Sequence, residues 1–176
     1  NKQDIASKPA KSANPVFFGQ FDSVKKSGSK GANTNIVLVG KESQNQKQYV
    51  EQVRQEAGDN VFFLGAIPHQ DLKQLYQVAK VHALVSWMET PGLSSLEAAA
   101  MRCNIVVTKK GDTEEYFEDF AFYCEPDDVR TIKEAIDNAY LSDFNEELRN
   151  KILTNYTWER AAESTLRGYN KALINV

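Results

Sequence analysis

The sequence predicts an α/β domain, a doubly wound, mainly parallel sheet with helices on both faces. Two observations predict it. Short apolar runs rich in branched residues alternate along the chain with longer segments whose apolar residues recur at three, four and seven. Glycine- or charge-containing turns follow the runs directly: Gly40-Lys41, Gly65-Ala66-Ile67, Trp87-Met88-Glu89 and Lys109-Lys110-Gly111. In a doubly wound sheet such turns emerge on one edge, beyond the carboxyl ends of the strands, where ligands bind.

Taken in order, Val16-Phe17-Phe18 is a candidate first strand and Ile36-Val37-Leu38-Val39 a second. Residues 44–57 read as a helix with Tyr49, Val50, Val53 and Ala57 on one face. A strand over Val61–Leu64 precedes a helix over 69–79, in which Leu72, Leu75, Tyr76 and Ala79 form the stripe. Next come a strand over 81–86, a helix over 94–101, a strand over Ile105–Thr108, a short helix capped by Asp112 and a strand over Ala121–Cys124. A helix over 128–141 places Val129, Ile132, Ala135, Ile136 and Ala139 together. Helices over 145–155 and 158–173 close the chain, the last with Trp158, Ala162, Leu166, Tyr169 and Leu173 on one stripe.

With 176 residues the chain is expected to form one domain over 15–176 behind a basic, solvated arm over 1–14. The net charge of −3 hides an asymmetry: residues 1–41 hold seven lysines against two aspartates, or +5, which leaves −8 for the remainder. The arm lacks arginine and interleaved aromatics, so nucleic acid is not the expected partner. No run is apolar enough to span a membrane and no secretory leader is visible, so a cytoplasmic protein is expected. Cys103 and Cys124 lack metal-ligand spacing and read as buried free thiols. His69, at a helix start, and His82, in a strand, read as structural. There is no P-loop and no metal motif, and Gly28-Ser29-Lys30-Gly31 is too short to be either; neither metal nor cofactor is expected.

The segment Glu89-Thr90-Pro91-Gly92-Leu93-Ser94-Ser95-Leu96-Glu97 runs from a buried strand into a helix. Pro91-Gly92 supplies the turn, with Ser94 as the expected N-cap and Glu97 as its capping-box partner. A strand, a glycine turn and a helix start form an anion site, because first-turn N–H groups lack partners and point outward. Two acids flanking such a site suit a ligand with phosphates and hydroxyls together. On spacing alone, a capping box beside a solvated loop acid is the favoured account of the pair.

The longer stretch from Val85 to Ala100 resembles the Glu–seven–Glu motif of the retaining family 4 (group 1) glycosyltransferases, in the C-terminal, donor-binding half of the GT-B fold. The resemblance runs from Asn60 to Leu173, and weakly back to Pro15. It includes Val61-Phe62-Phe63-Leu64-Gly65-Ala66-Ile67-Pro68, Gly111-Asp112-Thr113-Glu114-Glu115-Tyr116, Cys124-Glu125-Pro126-Asp127-Asp128 and Tyr156-Thr157-Trp158. It implies a metal-independent hexosyltransferase of glycan biosynthesis, whose donor substrate is a nucleotide diphosphate sugar. Glu89 would be the catalytic acid facing the transferred sugar, and Glu97 would accept the ribose hydroxyls. The amides of Gly92, Leu93 and Ser94 would hold the diphosphate, and the backbone at Ala66 and Ile67 the base. Gly19, with Lys25 and Lys26, would supply the remaining phosphate contacts. A separate N-terminal acceptor half would complete the enzyme, leaving room for peripheral membrane association through that half, and this chain alone would be inactive in transfer.

Four departures accompany the resemblance. Thr90-Pro91-Gly92 stands where the family has glycine, phenylalanine and glycine, and Gln20 stands where it has arginine. Arg102 occupies a helix end where glycine is usual, which predicts a local rearrangement. The connection from Phe18 to Ile36 is too short and too rich in glycine and serine for the expected crossover helix. These departures keep open a degenerate nucleotide-binding or regulatory domain without transfer activity. A flavodoxin-like signalling module is disfavoured, because no acidic cluster follows the first strand.

Overall fold

The computed structural model describes residues 17–22, 34–42, 44–90 and 92–174. Strands β1 (Phe17–Asp22), β2 (Thr34–Val39), β3 (Val61–Gly65), β4 (Val81–Leu84), β5 (Asn104–Thr108) and β6 (Phe122–Cys124) form one sheet in the order β3-β2-β1-β4-β5-β6. Helices α1 (Lys47–Glu56), α2 (His69–Val78), α3 (Leu93–Ala100), α4 (Thr113–Phe117) and α5 (Val129–Leu141) alternate with the strands. Helices α6 (Glu146–Asn155) and α7 (Trp158–Ile174) follow. The α/β class and the mainly parallel sheet match the sequence reading. No helix among the described residues is long and apolar enough to cross a membrane.

β2 and β3 are parallel, as are β4, β5 and β6. β1 runs antiparallel to both β2 and β4. Parallel neighbours need a crossover of about a dozen residues or more, and only residues 23–33 separate β1 from β2. An antiparallel pairing removes that demand, so the reversal of β1 suits the short connection. The basic arm, Lys25, Lys26 and the Gly28–Gly31 segment lie outside the described residues.

Two apolar layers follow from the alternation of side chains across the strands. On one face Val37, Val39, Leu84, Ile105 and Val107 pack with Tyr76, Leu96, Ala98, Ala99 and Phe117 and with Leu148 and Ile152 of α6. On the other, Val81, Ala83, Val106 and Cys124 pack with Ala135 and Ala139 of α5. Every residue of β4 and of β5 is buried, the pattern of strands covered on both faces. Cys103 and Cys124 are buried free thiols, and burial pushes their pKa values up to about 12 and about 11. Two residues assigned to core stripes face outward: Tyr49 of α1 and Val129 at the first turn of α5 are exposed. Helix ends leave space around their outermost residues, so periodicity extended to the cap overstates the buried stripe.

The end of α3 carries another difference. Arg102 takes the left-handed conformation itself, with φ of 74°. Arg102 N–H donates to the Ala99 carbonyl and Cys103 N–H to that of Ala98, at 3.1 and 3.0 Å, which closes a Schellman motif. The expected rearrangement is absent. The cost of a left-handed side-chain residue, about 1 kcal/mol or more, is offset by two satisfied carbonyls and by a 2.9 Å ion pair between Arg102 and Glu146.

Asn104 is a buried polar residue at the start of β5. Its amide donates to the carbonyls of Ala139 and Ser142 at 2.7 and 2.9 Å, fastening the end of α5 to the sheet. Asn104→Ala strands both carbonyls. It is expected to lower stability by about 2 kcal/mol, read as a shift in the urea unfolding midpoint with the slope unchanged.

Candidate functional site

β2 to β6 point the same way, so their carboxyl ends open on one edge of the sheet. The turn after β3 is tied to the end of β2 by a 3.0 Å bond from Gly40 N–H to the Gly65 carbonyl. Gly65 has φ of 67°, a conformation that favours glycine. Beyond it Ile67 packs its side chain against the core, while Ala66 stays exposed.

At the same edge α3 begins one residue earlier than expected. Gly92 is the N-cap, left-handed with φ of 51° and ψ of 48°, and no side chain caps the helix. The Gly92 carbonyl accepts from Ser95 at 2.8 Å and from Leu96 at 3.2 Å. Ser94 therefore lies inside the first turn, and the capping box with Glu97 does not form. The reason is conformational: glycine can enter the left-handed region without strain, and that turn starts the helix before Ser94. The amides of Leu93 and Ser94 precede the first intrahelical bond and have no acceptor within the helix.

Glu97 is held instead by α2. His69 Nε2 donates to Glu97 Oε1 at 2.7 Å. The Glu97 charge also acts on the buried Tyr76 phenol of α2; burial first, then that charge, pushes its pKa well up. His69 thus lies at the surface and ties α2 to α3, a contact the sequence does not reveal. His82 fits the structural reading: it is fully buried, Nε2 lies 3.1 Å from the Ser95 hydroxyl, and burial lowers its pKa to about 3.

Glu89 is fixed through its backbone. It forms a parallel bridge with Gly111: its N–H donates to Lys110 at 3.1 Å and its carbonyl accepts from Asp112 at 2.9 Å. Ser86 Oγ donates to Glu89 Oε1 at 2.9 Å, and Thr108 Oγ1 donates to the Ser86 carbonyl at 2.7 Å. The loops after β4 and β5 are laced together in this way. Gly111 is required there, because φ is 92° and an added Cβ would lie 1.9 Å from the Glu89 carbonyl oxygen. Trp87, Met88 and Leu93 expose apolar side chains beside these loops.

The structure brings Glu89, Gly92, Leu93, Ser94 and Glu97 into one strand–turn–helix unit, with Ala66 and Ile67 on the same sheet edge. Gly19 does not join them. It sits inside the ladder, opposite Val37 and His82, because β1 is reversed. The loop cations nearest β5 are engaged locally, Lys109 with Glu114 at 2.7 Å and Lys110 with Glu125 at 3.1 Å. Sequence reasoning missed His69 as a partner of Glu97. Nothing in the spacing, 28 residues from His69 to Glu97, marks it. The Gly111 contact was partly visible, as a glycine directly after a strand.

The family model described as Glycosyl transferases group 1 matches residues 17–157. Among curated proteins, a subunit of the human phosphatidylinositol N-acetylglucosaminyltransferase is 27% identical over 134 residues, covering 71% of this chain and 28% of that protein. Its Arabidopsis thaliana counterpart is 32% identical over 120 residues, covering 65% and 26%. The uncharacterized glycosyltransferase MJ1607 of Methanocaldococcus jannaschii is 29% identical over 151 residues, covering 80% and 38%. The chain thus spans well under half of each curated relative. Among solved structures, the sucrose-phosphate synthase of Thermosynechococcus elongatus superposes with a TM-score of 0.68 at 22% identity, covering 80% of this chain and 39% of that one. AviGT4, a glycosyltransferase involved in avilamycin A biosynthesis, superposes with a TM-score of 0.64 at 18% identity, covering 81% and 44%.

The Glu97 contact raises the His69 pKa above its ordinary 6.5, first by the hydrogen bond and then by the carboxylate charge. The pair's contribution is therefore complete below that ordinary value and fades as pH climbs through the raised one. A nuclear magnetic resonance titration of the imidazole should give a midpoint above 6.5 in the wild type. In Glu97→Gln the midpoint should fall back towards that value; an unchanged midpoint would show that the pair does not persist in solution.

Proposed function

The chain belongs to the group 1 glycosyl transferases, and from that premise we propose that it is the donor-binding half of a retaining enzyme that transfers sugar from a nucleotide diphosphate sugar. The observation that carries the reading is the start of α3. A left-handed glycine opens the helix, no side chain caps it, and acids stand on either side. The Leu93 and Ser94 amides, reinforced by the helix dipole, would receive the diphosphate. As the glycosidic bond breaks, the departing diphosphate gains negative charge, and fixed N–H donors stabilise that charge without a metal.

The acids take the two ends of the donor. Glu97, an acceptor-only group, would engage the vicinal ribose hydroxyls. Glu89, set at the mouth of the turn by its bridge to Gly111, would bind hydroxyls of the transferred sugar and stabilise positive charge at its anomeric carbon. The exposed backbone at Ala66 and beside Ile67 would meet the base. With Gly19 inside the sheet, the phosphate role falls to the α3 amides rather than to the first strand. A hexosyl group is the transferred class in this reading.

Transfer needs an acceptor half that these residues do not provide. α7 supports such a partner: none of its residues is buried, and Trp158, Leu166, Tyr169 and Leu173 stand exposed along one stripe. That stripe would pack against the acceptor half, and the present chain would bind donor but transfer poorly. Peripheral membrane association, if the whole enzyme has it, would come through the acceptor half.

Calorimetric titration with UDP, GDP and ADP tests the reading. The wild-type chain should bind at least one of them, and Glu97→Ala should weaken that binding by about tenfold or more, the loss of a charge-assisted hydrogen bond. A wild type that binds none of the three would instead favour a scaffold that keeps only the fold.

A further inference from the structure

Glu97 is not a free acid awaiting a ligand. It projects from α3, while His69, which donates to it, belongs to α2, as does Tyr76, whose buried phenol feels its charge. His69 is 79% exposed and donates to Oε1 at 2.7 Å. Tyr76 is only 2% exposed, and its ring is wedged edge-on against His82 at 5.9 Å between centroids. The donor is thus a surface side chain, on a helix that Tyr76 anchors in the core. An ionised carboxylate offers about four lone-pair sites. The His69 bond occupies one of them, and about three stay open, enough for a pair of vicinal hydroxyls.

We propose that His69 is a positioning residue which orients the Glu97 carboxylate so that its remaining lone pairs accept a ribose diol. The inference rests on the donor-binding reading of the site. It adds that α2, through a residue outside the Glu89–Glu97 segment, sets discrimination between ribose and deoxyribose nucleotides. Without His69 the Glu97 side chain loses the bond that orients it and regains rotamer freedom. Its capacity to accept hydrogen bonds remains, but the diol would have to order it on binding. Because most of the His69 side chain is in solvent, its removal leaves the core intact.

The experiment uses the whole 176-residue chain. Whichever of UDP, GDP and ADP binds best is titrated beside its 2′-deoxy counterpart, against wild type, His69→Ala and His69→Gln. Wild type should prefer the ribonucleotide by about tenfold, the weight of one hydrogen bond to a charged group. In His69→Ala the preference should fall to about twofold or less, with the deoxynucleotide affinity nearly unchanged. His69→Gln restores an N–H donor and should recover most of the preference. Equal weakening of both nucleotides in His69→Ala, or a preference kept at the wild-type level, overturns the positioning role. Wild type that binds both nucleotides equally overturns the ribose role of Glu97 and this inference together. Failure of wild type to bind any nucleotide overturns the donor reading itself.

Discussion

The contact on which the site depends is between two stretches of backbone. The Glu89 carbonyl occupies the space that a side chain on residue 111 would need, and Gly111 leaves it vacant. The two loops can then lie side by side, joined through Glu89, Lys110 and Asp112. Side-chain bonds from Ser86 and Thr108 add to the lacing. Both loops grow from β4 and β5, whose residues are all buried. A loop acid would ordinarily sample many positions. Here it inherits the rigidity of the sheet centre, a condition for any site that must hold a reacting carbon in place.

Glu97 reaches a comparable degree of order by another route. It lies within a helix whose alanines pack fully against the sheet, Ala98 and Ala99 having no exposed surface. Its carboxylate is then directed by α2. Between the acids stands Gly92, whose left-handed turn presents first-turn amides with no competing side chain. In the proposed reading, strand end, glycine turn and helix start would supply an anion site, and the acids at its borders would add selectivity for hydroxyls.

Much of this was legible in the sequence because the physics is local. Alternating apolar runs and helical stripes gave the layers, and turns placed directly after strands gave the edge where Glu89, Gly92 and Glu97 gather. What was illegible depends on partners distant in the chain. The reversal of β1 comes from a short connection competing with a parallel pairing, and the residue pattern of Phe17-Phe18 is the same in either direction. His69 meets Glu97 only because α2 and α3 pack together. Ser94 scored as a cap by residue type, yet Gly92 took the position since its backbone could turn left-handed. Arg102 shows the reverse: a conformation suited to glycine is imposed on arginine by the two hydrogen bonds that close α3.

The most direct measurement is a crystal structure of the chain soaked with the nucleotide diphosphate sugar it binds. The diphosphate should lie on the amides of Leu93 and Ser94, the ribose hydroxyls on Glu97, and the sugar beside Glu89. A nucleotide seated elsewhere, with the first turn of α3 unoccupied, would contradict the account.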